Sequence, residues 1–464
     1  MDIQTPNEAD SAISRLPREL LDLVVSHLAQ DKLALKHCTL VSRYWRVSTR
    51  ALLFHTLSIH DHGGPQHYPP DFECCGDNQF AFDAFRRFLW SPPPLSRDLP
   101  PLIKSLKISY GWSDIHRTTI NVADLDLVLA RLPALDELYL RSISLQPAPS
   151  GMKLHGWSYP KPLTKLVLWG IKMELPSWAT GDQQRREGTG CPFVELLGLF
   201  SDIKMVHATN VGFMLDDDER RWLYWDDDER TDAAVSQLSA LRVQQLYLEL
   251  DPYANAVPKS HADFLRLLDR SVSLQGLSSL NVTEEPAIVR AVLEGVGNRL
   301  ESLGLTVSVA ADDYTDQDLY GVAFCTSLSR CEFRLQDIYP DDLALDFGLL
   351  FSVIDHIPVT VCHMTIDFQF SSRERPDDIE SDGVTLNYLI SLDCNKLENV
   401  MMRRFPSTQL LFKFSVGSWD DASNRDFNRE IAFIREHLPS LVKRQLLSFE
   451  NVEMSACPPW PGEN

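Results

Sequence analysis

The sequence lacks the long apolar run that a membrane-spanning helix needs, since no stretch of about 18 apolar residues occurs. Its first ten residues are polar and acidic, without the basic and apolar regions of a secretory signal. The 9 cysteines are odd in number and scattered over 464 residues, which is typical of reduced thiols rather than of a disulfide framework. We therefore expect a cytoplasmic or nuclear protein that binds no membrane.

Positive charge is also in short supply. There are 44 Lys and Arg residues against 65 Asp and Glu residues, which gives a formal net charge of -21. A chain of this charge repels phosphate backbones at long range. Because no Lys/Arg cluster is visible along the sequence, we expect no nucleic-acid partner.

The sequence has no recognisable catalytic motif. Phosphate-binding glycine loops, nucleophile elbows and paired zinc-protease histidines are all missing. Cys38 and Cys362 each adjoin a histidine, yet both fall inside patterns that predict packing rather than a reactive thiolate. We therefore predict no catalytic residue and no cofactor.

One loop is rich in potential zinc donors, but their spacing matches no standard zinc finger. Adjacent cysteines also seldom ligate one ion together. We expect an ordinary loop without a metal; the donors in question are His60, His62, His67, Cys74 and Cys75.

An amphipathic helical pattern opens the folded part of the chain. Ser14 can cap a helix, and Pro17 fits its first turn. Leu20, Val24 and Leu28 then recur at helical spacing. A second short helix is predicted over residues 32–37 and a third from about Thr39 through Trp45. Three helices of this size cannot bury all their apolar residues unaided, so a partner surface is expected.

The segment L-P-x-E-L-L, then V-V-x-H-L, then L-V-S-R-x-W-R closely resembles an F-box. This resemblance implies binding to the adaptor subunit of a cullin-type ubiquitin ligase and, through the adaptor, to a cullin. It also implies that Trp45 anchors the third helix. The residues expected to form the adaptor site are Leu16, Pro17, Leu20, Leu21, Val24, Leu28 and Trp45.

A second pattern recurs through the rest of the chain: an apolar residue, another three positions later, and a third two positions after that. Ten copies are found, with first residues Ile103, Leu135, Leu163, Val194, Val243, Leu277, Leu300, Leu328, Val361 and Leu397. The last two apolar positions predict a short strand with both side chains on one face. Since one such strand cannot bury that face alone, neighbouring copies must stack.

This series resembles a degenerate leucine-rich-repeat array, although the usual Asn or Cys after the strand is irregular. The resemblance implies an α/β fold, with an F-box followed by an irregular solenoid that has parallel strands on its concave side and helices on its convex side. We expect a tail over 1–12, the F-box over 13–58, a linker with one helix over 59–101, the repeats over 102–455 and a tail over 456–464. An ordinary α/β domain is the alternative for the repeats.

Two polar stretches interrupt the pattern. One lies between Met205 and Gln237 and carries D-D-D-E-R twice around an aromatic segment. It is either a solvated loop or an acidic patch for a basic partner segment. The other, from Ser371 to Gly383, predicts a surface loop.

These features together predict a non-catalytic substrate receptor of an SCF-type ubiquitin ligase. The helices would bind the adaptor, and the repeats would bind a protein substrate that the sequence does not identify. Two alternatives remain open. In one, the chain is an adaptor-binding scaffold outside cullin complexes. In the other, it is a solenoid interaction protein whose helices merely cap the repeats.

Overall fold

The computed structural model describes most of the chain, and it divides into two compact units. Residues 1–201 and 211–220 form the first unit, and residues 202–210 and 221–464 form the second. The described residues are 17–29, 31–41, 43–61, 81–91, 98–110, 119–149, 152–174, 191–214, 232, 235–249, 262–271, 273–308, 318–338, 346–370, 389–417 and 427–454.

Three helices begin the described part of the first unit. They are α1 (Arg18–Ser26), α2 (Lys32–Val41) and α3 (Arg43–Leu53). Pro17 stands at the N-cap of α1, where its missing N–H costs no hydrogen bond. The third helix begins at Arg43, so the prediction of a start near Thr39 was wrong. The carboxylate of Asp31 accepts a hydrogen bond from the Ala34 N–H at 2.8 Å, which caps the start of α2. The helix then continues past the predicted end at His37 and includes Thr39.

The first unit contains two parallel sheets. One consists, in order, of β1 (Thr56–Asp61), β2 (Ser105–Tyr110), β4 (Glu137–Arg141) and β6 (Lys161–Trp169). The other consists of the short strands β3 (Thr119–Asn121), β5 (Ser144–Gln146), β7 (Lys172–Glu174) and β9 (Gly212–Met214). The helices that accompany these strands are α4 (Ala81–Trp90), α5 (Val122–Ala130), α6 (His155–Ser158) and α7 (Pro192–Gly198). The one helix predicted for the linker over 59–101 is α4.

A left-handed residue turns the chain from a main strand into a short one. Ser142 has φ 53°, Gly170 has φ 58° and Asn210 has φ 54°. Each follows a long strand directly and is followed in turn by a buried Ile or Val. At these corners Gly and Asn adopt the left-handed conformation readily, and Ser adopts it at a tolerable cost.

The second unit contains a parallel sheet of eight strands in sequence order. They are β8 (Phe200–Thr209), β10 (Arg242–Glu249), β11 (Ser279–Val282), β12 (Ser302–Ser308), β13 (Arg330–Ile338), β14 (His363–Phe370), β15 (Gln409–Gly417) and β16 (Leu447–Met454). The helices of this unit are α8 (Ala262–Arg270), α9 (Pro286–Val296), α10 (Gly348–His356), α11 (Cys394–Arg404), α12 (Asn428–His437) and α13 (Pro439–Lys443).

In the long-stranded sheet of each unit, which we call its main sheet, the last two apolar positions of the repeated pattern form continuous ladders. Leu138 pairs with Leu106 and Leu166, for example, and Leu303 pairs with Leu280 and Cys331. These side chains are almost completely buried. We call the opposite side of each main sheet, where the alternating residues point, its open face.

Eight of the ten predicted copies are strands, and two are not. The copy that begins at Val194 lies in α7, and the copy that begins at Leu397 lies in α11. Apolar residues three apart also share one side of a helix, so the pattern suits both structures. Pro192 at the first turn of α7 and the Asp393 carboxylate, which accepts from Lys396 N at 2.8 Å, favour the helix.

Four main strands therefore lie outside the predicted set. β8 contains Ile203, Val206 and Ala208 in the repeated spacing, and the last two of these lie inside the stretch predicted as an interruption. β15 replaces the copy at Leu397, and β1 and β16 extend the sheets at their ends. The second sheet of short strands had no counterpart in the sequence pattern either. Residues 215–231 and 233–234 of the first polar stretch, and all of the second from 371 to 383, lie outside the described residues.

No helix in the described ranges has both the length and the apolar character needed to cross a bilayer.

Candidate interaction surfaces

The three N-terminal helices share a small apolar core. Leu21, Val25 and Leu35 are fully buried, and Leu28 and Trp45 pack against them while remaining partly exposed. Leu21 is therefore a core residue, and its predicted role as a direct adaptor contact does not fit a side chain with 0% exposure. Trp45 stands in the first turn of α3, where it joins that helix to α1 and α2.

Other apolar side chains of the same helices point into solvent. Leu20 is 49% exposed and Val24 is 48% exposed, one turn apart on α1. Pro17 is exposed as well, and Leu16 lies outside the described residues. The remaining large apolar side chains exposed on these helices are Leu23, Leu33, Leu40 and Val47. Clustered apolar exposure of this kind marks a site of protein contact.

The open face of the second unit carries a network of half-buried charges. The Glu249 carboxylate lies 2.6 Å from Arg334 Nη1 and 3.0 Å from His207 Nε2. Arg334 Nε donates to Glu332 Oε1 at 3.2 Å. Burial opposes the charge on Glu249, but the hydrogen bond from His207 and the Arg334 charge outweigh it and hold the pKa of Glu249 well below its usual range. The pKa of Arg334 is raised, because its two carboxylate neighbours outweigh its burial.

The network continues toward β15. Lys413 Nζ lies 3.3 Å from Asp367 Oδ2 and 3.9 Å from Glu332 Oε1. Asp367 is 1% exposed, and burial raises its pKa although Lys413 and the Ser415 hydroxyl favour its charged form. Sequence reasoning assigned substrate contact to the repeat surface without naming residues. The missed signal was one of register, because the charged residues are spread over five strands, with only Glu332 and Arg334 sharing one.

The cysteines of the described ranges are free thiols, and those in the repeats are mostly buried. Cys191, Cys325, Cys331 and Cys394 are buried, whereas Cys38 is partly exposed and Cys362 is exposed. Burial raises the pKa of Cys191 and of Cys325 to about 12 and that of Cys394 to about 11. These thiols stay protonated at neutral pH, which suits packing. The Cys362 thiol donates to the Ser329 carbonyl at 3.2 Å.

Among the described residues no cluster of His, Cys, Asp and Glu could hold a metal ion. Of the five residues considered as zinc donors, His60 lies on β1 with Nδ1 in hydrogen-bond contact with the Ser109 hydroxyl. His62, His67, Cys74 and Cys75 lie outside the described residues.

Comparisons with known proteins identify neither a family nor a function for this chain. No family model matches the chain, and no curated protein matches it. The structure of the leucine-rich repeat-containing protein LegL7 from Legionella pneumophila has a TM-score of 0.34 and 12% sequence identity, over 74% of this chain and 85% of that one. A similarity this weak carries no argument about fold or function. The function must therefore be inferred from this chain's own residues.

Proposed function

We propose that this protein is a non-catalytic substrate receptor of an SCF-type ubiquitin ligase. In this role the N-terminal helices bind the adaptor subunit and, through it, a cullin. The repeats bind a protein substrate and hold it near the ubiquitin-charged conjugating enzyme. The gain in rate comes from effective concentration, with no bond chemistry by this chain.

One observation carries the proposal: Leu20 and Val24 are half exposed, one turn apart, in the segment whose motif resembles an F-box. Burying two such side chains in a partner would contribute about 2–3 kcal/mol at roughly 25 cal/mol per Å² of apolar area. Their exposure favours a partner surface over the alternative in which they pack against the chain's own repeats. Leu21 belongs to the core of the three helices, and Leu28 packs against that core.

The strand ladders of the two units support the second part of the proposal, which is that the repeats bind a protein substrate. Rigid parallel strands hold many side chains on an open face, and a site built on strands is positioned more accurately than one on loops. The charge network around Glu249 and Arg334 is fixed in this way. A partner that covers it must match groups whose geometry is already set.

The test is a pull-down of the full chain with recombinant adaptor subunit and cullin. The wild type is expected to capture both, and a Leu20→Asp/Val24→Asp double variant neither. The matched control is Val359→Asp/Ile390→Asp, which places the same charges at apolar side chains that are 68% and 58% exposed in the second unit. This control is expected to bind like the wild type.

Capture of the adaptor without the cullin would instead favour the scaffold outside cullin complexes. If folded wild-type protein binds neither partner, the F-box assignment is wrong, and the helices serve the repeats alone.

A further inference from the structure

The open face of the first unit collects positive charge in a chain that is strongly acidic. Lys107 on β2, Arg141 on β4 and Lys165 on β6 all point to this face, because they alternate with the buried ladder residues. His60 on β1 joins them beside Ser109. On β2, β4 and β6, Glu137 is the one acidic residue that points to this face.

Aromatic rings hold the cations in place. Lys107 Nζ lies 5.3 Å and Lys165 Nζ 5.5 Å from the centre of the Tyr139 ring. The Arg141 guanidinium lies 5.2 Å from the centre of the Trp169 ring. A cation over an aromatic ring is attracted by the negative face of that ring, which restricts the mobility of a long side chain. The charges are thus fixed before any ligand arrives.

The accessible members of this group are Lys165, Arg141 and Trp169, which are partly exposed. Lys107 is 5% exposed and Tyr139 is 2% exposed, so neither can contact a ligand directly. Burial, with help from the neighbouring Glu137 carboxylate, raises the pKa of Tyr139. The phenol therefore stays neutral and adds no negative charge beneath the lysines. In the described part of the chain, Lys165 makes no ion pair, although Glu137 is its register partner.

We propose that this basic aromatic face, formed by Arg141, Lys165 and Trp169 together with the buried Lys107 and Tyr139, binds an acidic peptide segment of a partner protein. Anionic oxygens of the peptide would lie between Lys165 and Arg141 and accept charge-assisted hydrogen bonds. The proposal rests on the proposed function, because it names the class of substrate segment that the repeats would recruit.

A nucleic acid fits this face less well. Base recognition on a sheet needs exposed rings on which bases stack, but Tyr139 is buried and lies between two lysines, and Trp169 is in contact with Arg141. The net charge of -21 would also repel a long polyanion, while a short acidic segment senses mainly the local field. Charge complementarity at this face therefore favours a peptide.

Fluorescence anisotropy of labelled peptides with the full chain tests the inference. The probes are a Glu-rich peptide, the same peptide with phosphoserine in place of the glutamates, a Lys-rich peptide and an oligothymidylate. We expect the Glu-rich or the phosphoserine peptide to bind, and the stronger of the two identifies the source of the anion. Binding should weaken as salt concentration rises.

A Lys165→Glu variant is expected to lose about tenfold or more in affinity, since it removes a charge-assisted contact and adds repulsion. Lys396→Glu is the matched control, because Lys396 Nζ also lies over a ring, 4.6 Å from the centre of Phe351, but in the second unit. It should bind as tightly as the wild type. The milder Lys165→Gln serves the same purpose if Lys165→Glu fails to fold.

Stronger binding of the oligothymidylate or the Lys-rich peptide would overturn the inference, as would equal affinities of the Lys165 variants and the wild type. Failure of both acidic peptides to bind would overturn it too. Because the peptides are tested without the adaptor, that result would leave adaptor capture unaffected. Loss of adaptor capture with intact peptide binding would contradict only the ligase role.

Discussion

The side-chain amide of Asn281 lies directly over Gly304 on the neighbouring strand. A Cβ at position 304 would stand 2.6 Å from Asn281 Nδ2, which is closer than real Cβ atoms approach. Asn281 is 5% exposed, and its Oδ1 has no hydrogen-bond partner among the described residues. The amide therefore depends on the space that Gly304 leaves.

We expect Gly304→Ala to displace Asn281 and to lower the free energy of unfolding by about 1–3 kcal/mol, as overpacking does. Urea unfolding followed by circular dichroism measures this change. Gly276→Ala is the control, because its Cβ would meet only the Val243 carbonyl oxygen, at an ordinary 3.8 Å. Equal effects of the two substitutions would show that Asn281 can move aside freely.

The ion pair between Glu249 and Arg334 should stabilise the second unit measurably. A double-mutant cycle with Glu249→Gln and Arg334→Gln is expected to give a coupling free energy of about 1–3 kcal/mol, because both side chains are half-buried and hydrogen-bonded to each other. The exposed pair Arg290–Glu294, at 3.1 Å on one helix, should give about 0.3–0.5 kcal/mol in the same experiment. A coupling no larger than that of the helical pair would mean that solvent screens the network.

Glu195 should make the first unit less stable as the pH rises. Its carboxylate accepts a hydrogen bond from Ala148 N at 2.6 Å, and burial raises its pKa from 4.5 to about 7. Since the folded state holds this proton more tightly than the unfolded state does, the free energy of unfolding falls between about pH 4.5 and about pH 7.

The Glu195→Gln variant removes that titration. Relative to the wild type, it should be more stable at pH 8, by on the order of 2 kcal/mol, and nearly equal to it at pH 4.5. Chemical unfolding at several pH values checks this. A difference between variant and wild type that is independent of pH would contradict the raised pKa.

Substitutions at two equivalent left-handed corners, Ser142 and Gly170, should change the free energy of unfolding in opposite directions. Ser142→Gly should increase the free energy of unfolding by about 0.5–1 kcal/mol, because glycine reaches positive φ without strain. Gly170→Ala should lower it by about 1 kcal/mol. A Cβ at Gly170 would meet nothing nearer than 3.7 Å, so this loss isolates backbone strain. Thermal or urea unfolding of both variants measures the two signs, and effects of the same sign would contradict this explanation.

The repeated strands were predictable because their signal is local. Leu166 and Leu168, or Leu303 and Leu305, indicate a strand with one buried side within three residues of sequence. The same local signal failed at Val194 and Leu397, where a helix start decided between two structures that the spacing allows equally. Thr39 shows the same limit, because it lies inside the second helix and not at the start of the third.

The interaction surfaces were only partly predictable. The exposure of Leu20 and the burial of Leu21 depend on how three helices pack, although both residues fit the same motif. The charge network was not accessible to sequence reasoning, because Glu249 and Arg334 are 85 positions apart. Lys107, Arg141 and Lys165 likewise form a basic group only once the strands are aligned, which a search for clustered Lys and Arg along the chain does not find.

The shared register of the ladders bears on how such a chain can change over generations. Because each strand of the second unit meets its neighbours through the same positions, the segments between strands can lengthen or shorten without shifting the core. Duplication or loss of a whole strand and its helix would leave the remaining pairings intact. The open face can thus change residue by residue, or be enlarged by duplication, while the buried ladders stay the same.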